Sequence, residues 1–377
     1  PADAAGIAIG WVLILQIATL LMAIGLVWWI SGPRAGGIAA ILVPSLVFAE
    51  GAPGNSAASY FAVLPLRVVL PTLMIVTAVA LVTKWPRTAD VPLWPLLIVG
   101  FIGGLTALNN ADYGLAALAA LLIGVIAWSS SWRLRVRNLA VVILAAAVPF
   151  AVYWAVFAGV GPGVSWANWT LYQRMFGADG FMAIARPAGG WHVALASLFT
   201  IAALVGLVGV CTTRTRNASP HARHSLALLL VGTWGLLSLP YYAGRSLPST
   251  VIGGYAFQIG WVVALVLPLM AIVLRAVRMR RTSAIPTPAV VSLVMGLVAV
   301  AFCVAGIMRV APPGDVVNRD PRPLLRDDER TWRASERNAP KPLAAALARG
   351  DVWQVIENSS ALAMTTGVPS ASIFNTP

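Results

Sequence analysis

The chain has 377 residues, of which 59% are hydrophobic and 10% charged, with a formal net charge of +13 and a mean hydropathy of +0.82. So few charges cannot cover the surface of a water-soluble protein of this size, so a lipid bilayer must be the solvent for most of it. No Lys/Arg-rich helix carries base-reading residues and no stacking platform interrupts the apolar runs, which argues against nucleic acid as a partner.

Apolar stretches near the length needed to cross a bilayer fall at 6–30, 60–83, 91–108, 113–128, 139–160, 191–211, 225–239, 251–274 and 288–311. A shorter run covers 36–50. Pro1 rather than Met opens the sequence, with no basic region ahead of the first run and no small-residue cleavage site after it. That fits a numbering that begins inside a longer protein.

Basic residues then fall in alternate connections. Arg34 follows the first run, and Lys84 and Arg87 follow the run at 60–83. Arg133, Arg135 and Arg137 follow the run at 113–128. Arg214, Arg216 and Arg223 come next, then Arg275, Arg278, Arg280 and Arg281. The intervening connections are poor in Lys and Arg. The positive-inside rule places the basic set in the cytoplasm. One orientation satisfies every cluster when 36–50 counts as a span. The expected fold class is therefore an all-α polytopic membrane protein of about ten transmembrane helices, with both ends outside. Residues 1–311 form the membrane domain. Residues 312–377 are polar and charge-mixed, with a short helix expected near Lys341 to Arg349. They read as a small extracytoplasmic segment of mixed structure, short for a core of its own.

Cys211 and Cys303 lie in apolar runs and read as small core residues, since two cysteines make no disulfide scaffold. His192, His221 and His224 show no metal-ligand spacing.

Ionisable groups at membrane depth are costly and are functional candidates by default. Up to Ala311 the acids are Asp3, Glu50, Asp90, Asp112 and Asp179. Topology puts Asp90 inside and the other four outside. Glu50 precedes the loop GAPGNSAAS. Asn109, Asn110 and Asp112 make the outward corner LNNADYG, where they serve as turn and cap residues or as partners for sugar hydroxyls. Arg67, near the outer end of its run, either snorkels to the interface or offers planar donors to a phosphate. The outward stretch 161–190 interleaves Trp166, Trp169, Tyr172, Phe176 and Phe181 with Gln173, Arg174 and Asp179. It reads as an interfacial helix with aromatic anchors or as the same helix roofing a lipid-entry groove. The loop PYYAGRSLPS, from Pro240 to Ser249, brackets Tyr241, Tyr242, Gly244, Arg245 and Ser246 with prolines. Arg245 and Ser246 suit a phosphate, with Gly244 allowing close backbone approach.

LNNADYGLAALAALL (Leu108 to Leu122) and YYAGRS (Tyr241 to Ser246) resemble motifs of actinobacterial GT-C glycosyltransferases. The tail ENSSALAMTTGVPSASIFNTP (Glu357 to Pro377) is similar to the extracytoplasmic portion of such proteins. The resemblance implies inverting transfer of an arabinose- or mannose-type sugar from a polyprenyl-phosphate donor to an envelope glycan or glycolipid. A carboxylate would deprotonate the acceptor hydroxyl as the lipid phosphate leaves. In many such enzymes that base sits in the first outward loop after the first helix, a pattern this chain does not match. The role then falls to Asp3, Glu50, Asp112 or a residue upstream of Pro1. Arg67, Arg245 and Ser246 would hold the donor phosphate. Asn109, Asn110, Tyr241, Tyr242, Trp169, Tyr172, Arg174 and Asp179 would hold sugar or acceptor. Beyond the donor lipid no cofactor is required, and a divalent cation is compatible. Neither a P-loop nor a Rossmann fingerprint is present, as suits a non-nucleotide donor. Two other readings stand beside this one. A transporter or flippase would show charges at the bilayer midplane and paired broken helices. A scaffold for an envelope complex would scatter the outward acids and arginines.

Overall fold

The computed structural model describes residues 4–48, 57–86, 90–158, 191–212, 220–244 and 254–268. The run at 288–311, the stretch 161–190 and the segment 312–377 lie outside the described residues.

All regular structure among the described residues is α-helical. The helices are α1 (Ala4–Ser31), α2 (Pro33–Phe48), α3 (Ala57–Val82), α4 (Leu93–Asn109), α5 (Ala111–Trp128), α6 (Trp132–Ala158), α7 (Trp191–Thr212), α8 (Pro220–Leu237), α9 (Leu239–Gly244) and α10 (Gly254–Pro268). Among the described residues, five stretches are long and apolar enough to cross a membrane: Ile14–Ser31, Ala111–Trp128, Trp132–Val156, Val193–Thr212 and Ala222–Tyr241. The chain is a helical membrane protein.

Local chemistry sets the breaks. Gly32 adopts a φ of 87°, which a residue without a Cβ tolerates. Its N–H donates to the Trp28 carbonyl, closing α1 and turning the chain into α2. The short run expected at 36–50 is the helix α2, which begins at Pro33. Asn110 alone separates α4 from α5. The break between α8 and α9 falls just before Pro240, whose ring nitrogen cannot donate to the preceding turn. The Ser238 carbonyl at the break accepts both the Tyr241 N–H at 3.1 Å and the Tyr255 hydroxyl at 2.6 Å. Pro240–Gly244 is thus helical rather than the loop expected from its prolines. α6 starts well before the expected 139, so Arg133, Arg135 and Arg137 lie in its first turns. Arg135 Nε donates to the Ser129 carbonyl at 3.1 Å.

The helices associate through small residues, as bundles in lipid must, because apolar bulk gains nothing by leaving lipid tails. A Cβ at Gly104 would run into the Ala146 carbonyl on α6, and one at Gly206 would meet the Leu229 backbone on α8. α8 packs against α1, α3, α5 and α7, and its residues 224–235 are buried on every side. It is the centre of the bundle. α1 and α6 instead present Trp11, Ile14, Leu21, Leu144, Val152 and Trp154 outward. Cys211, expected in the core, is exposed, because it sits one residue from the end of α7. Cys303 lies outside the described residues.

Two sets of contacts lie at one end of the bundle. Arg137 Nη1 meets Asp90 Oδ1 at 3.0 Å, and Arg137 Nη2 donates to the Val91 carbonyl at 3.0 Å. The connection after α3 therefore shares a face with the start of α6. The buried His224 ring lies 3.0 Å from Ser31 Oγ through Nδ1 and 2.7 Å from the Leu265 carbonyl through Nε2. Those bonds join the ends of α1 and α10 to the start of α8. Arg223 stacks 4.5 Å above the Trp29 ring. We call the end that carries these arginines the basic face. The start of α3, the start of α5 and α9 gather at the opposite end.

Candidate functional site

Arg67 does not snorkel. It is 8% exposed and turns inward from α3, where its Nη1 donates to the Tyr241 hydroxyl at 2.9 Å. Its guanidinium carbon stands 5.0 Å from the Tyr241 ring centroid and 5.7 Å from that of Tyr113. A buried cation needs partners that offset its lost hydration. Two aromatic faces and a phenolic oxygen supply part of that. The guanidinium Nε is buried with no partner among the described residues.

Tyr113 is the hub. Its hydroxyl donates to the Gly254 carbonyl at 2.9 Å, and its own carbonyl accepts Trp234 Nε1 at 3.0 Å. Its ring packs 5.4 Å from Tyr241 and 6.1 Å from Tyr255. One residue of the NNADYG corner thus ties together α3, α5, α8, α9 and α10. Gly114, next in that motif, is required by packing: a Cβ there would run into the Thr106 carbonyl on α4.

The corner divides its polar work. Asn110 is extended, with φ −151° and ψ 116°, and its Oδ1 accepts the Tyr113 N–H at 2.9 Å. That is an N-cap bond. Asn110, not Asp112, therefore caps α5, and its side-chain carbonyl is used within the fold. Asn109 is exposed at the end of α4. Asp112 is half-buried in the first turn of α5, where the helix dipole favours an anion. It acts electrostatically on both Arg67 and Tyr113.

The structure thus brings together Arg67, Asp112, Tyr241, Asn109 and Asn110. Of Tyr242 it places only the backbone, in α9. Asp3, Glu50, Trp169, Tyr172, Arg174, Asp179, Arg245 and Ser246 lie outside the described residues. Arg245 directly follows the last residue of α9, four positions beyond Tyr241 in the sequence. Sequence reasoning missed Tyr113 and Tyr255. The position of Tyr113 inside the LNNADYG motif was the available signal, whereas Tyr255 sits in an apolar run with nothing to mark it. Among the described residues no group of three or more His, Cys, Asp or Glu side chains comes together.

The arrangement offers a cation, a neighbouring carboxylate and aromatic faces at one end of a membrane bundle. Such a set can hold an anionic headgroup, stack on a ring and accept a proton. No protein-family model, curated protein or solved structure matches the chain.

Proposed function

We propose that the chain is a membrane glycosyltransferase of GT-C type, moving an arabinose- or mannose-type sugar from a polyprenyl phosphate to an envelope glycan or glycolipid. One observation carries the reading. Arg67, the NNADYG corner and the Tyr-Tyr-Ala-Gly helix are far apart in sequence, yet they meet at one end of the bundle, away from the basic face. A scaffold has no need of that convergence. In this reading the bundle has about ten spans, the basic face is cytoplasmic, and 312–377 is extracytoplasmic.

Asp112 is then the base in the described part of the site, with Glu50 and Asp3 as the alternative acids for that role. The carboxylate takes the proton of an acceptor hydroxyl. The freed oxygen attacks the anomeric carbon from the face opposite the leaving group. The bond from that carbon to the phosphate oxygen breaks, and the lipid phosphate departs with the electron pair. Arg67, with Arg245 and Ser246, stabilises the charge on the departing phosphate. The aromatic wall excludes water that would otherwise intercept the sugar.

The test is sugar transfer from labelled polyprenyl-phosphate donors in membranes carrying the full chain. Asp112→Asn should lower the rate by about two to four orders of magnitude with protein levels and thermal stability kept. Wild-type rates in both Asp112→Asn and Arg67→Lys would remove the site. Movement of labelled lipid across liposomes by purified protein, with no transfer product, would establish a flippase instead.

A further inference from the structure

A side-chain amide inside a lipid-embedded bundle is costly when nothing pairs with it. The penalty is about 1–3 kcal/mol, and an apolar group of the same shape in its place is neutral or stabilising. Gln16 is such an amide. It is 2% exposed, and neither Oε1 nor Nε2 has a partner among the described residues. It shares a stripe of α1 with Thr19, Leu20, Ala23 and Val27, all buried, while Trp11, Ile14, Ile17 and Leu21 on the other side are exposed. The amide therefore points into the bundle, not into lipid.

α1 and α3 pack together. Counting helix rise from their basic-face ends at Ser31 and Val82, Gln16 and Arg67 both stand about 22 Å up the bundle. Arg67 contributes a second unpartnered buried atom at this depth, its Nε. One level of two packed helices thus holds a cation with a spare donor and an amide with a spare donor and a spare acceptor.

We propose that Gln16 belongs to the Arg67 site and reads hydroxyl groups next to the phosphate that Arg67 holds. An amide carbonyl and an amide NH2 side by side match one donating and one accepting hydroxyl of a vicinal diol. The ligand class is a glycosyl ester of a lipid phosphate, with Arg67 on the anion and Gln16 on the sugar. The assignment deepens the functional reading above and rests on it.

The experiment uses the full chain in lipid nanodiscs. Binding of inorganic phosphate, farnesyl phosphate, farnesyl phosphoryl mannose and farnesyl phosphoryl arabinofuranose is measured for wild type, Gln16→Leu, Arg67→Gln and Arg67→Lys. Thermal stability of each is recorded alongside. Gln16→Leu should keep or raise the Tm and leave farnesyl phosphate affinity unchanged. It should weaken at least one sugar-bearing ligand about threefold to tenfold, the worth of one hydrogen bond. A lowered Tm in Gln16→Leu, or equal loss for farnesyl phosphate and its glycosides, would overturn the assignment. If the Arg67 variants weaken every lipid and Gln16→Leu weakens none, the Gln16 assignment alone fails. If neither Arg67 variant weakens farnesyl phosphate, or inorganic phosphate binds as well as the lipids, the functional reading fails and the assignment with it.

Discussion

Replacing Tyr241 with Phe isolates the hydrogen bond that closes the site. The ring stays, so the stacking over Arg67 at 5.0 Å and the contact with Tyr113 at 5.4 Å are kept. Only the hydroxyl that accepts from Arg67 Nη1 at 2.9 Å is removed. Hydrogen bonds to charged groups contribute about 1.5–3 kcal/mol in proteins. Interhelical bonds in lipid measure lower, averaging about 0.6 and reaching about 1.7 kcal/mol. The Arg67 bond is charge-assisted and buried, which places it near the upper end of the membrane range, at about 1.5 kcal/mol. The assay is a double-mutant cycle of Tyr241→Phe and Arg67→Met, followed by reversible unfolding in mixed micelles. Tyr241→Phe alone should cost about 1–2 kcal/mol, because it leaves a buried cationic donor unpaired. In the Arg67→Met background the same change should cost little, since no donor remains to be orphaned. The resulting coupling should be about 1.5 kcal/mol. A coupling below about 0.5 kcal/mol, within the error of additivity, would show that Tyr241 and Arg67 are neighbours without being partners, and the closed site would lose its clasp.

Asn110→Ala removes the cap on α5 and should cost about 1 kcal/mol, whereas Asn110→Asp should retain most of the stability; equal loss in both would deny the cap. Gly114→Val drives a side chain into the Thr106 carbonyl and should destabilise by about 1–3 kcal/mol or more, seen as a lowered melting temperature in detergent. Asp90→Asn breaks a pair whose members are 36% and 74% exposed, so it should change stability by under about 1 kcal/mol and less still in high salt.

Helix positions were legible because a bilayer demands long apolar runs, and apart from the early start of α6 each described run became a helix near its expected limits. The face that each helix buries was less legible. In water the buried stripe is the apolar one, but in lipid both stripes are apolar, and periodicity of hydrophobic residues says nothing. Polar and small residues carry the signal instead. Gln16, Thr19, Thr72, Thr106, His224, Ser225, Thr233 and Gln258 are all buried. Each would be costly against lipid tails. Threonines can satisfy themselves within their own helix, as Thr72 does through the Val68 carbonyl and Thr106 through that of Ile102. Glutamines and histidine cannot, which is why His224 reaches two other helices. The two readings left open at the outer corner needed coordinates to resolve. Whether Arg67 turns outward or inward depends on Tyr241, a residue 174 positions away. Whether Asp112 or Asn110 caps α5 depends on the helix starting at Ala111 rather than at Tyr113. A shift of two residues is within the normal uncertainty of helix ends, and here it changes the role of an acid.

The same logic explains why the candidate site sits where it does. α8 is buried all round from His224 to Gly235, so its ends can carry polar tethers without exposing them to lipid. At one end the imidazole of His224 engages α1 and α10. Towards the other, Trp234 holds the Tyr113 carbonyl and the Ser238 carbonyl receives Tyr255. Pro240 then breaks the helix and redirects its last turn, and the redirected turn is what lays Tyr241 against Arg67. Straightening that break should separate Tyr241 from Arg67 while leaving α8 packed. Pro240→Ala, which restores the missing N–H, should therefore weaken farnesyl phosphate binding at unchanged or higher melting temperature. Wild-type binding in Pro240→Ala would mean that Tyr241 reaches Arg67 without help from the kink.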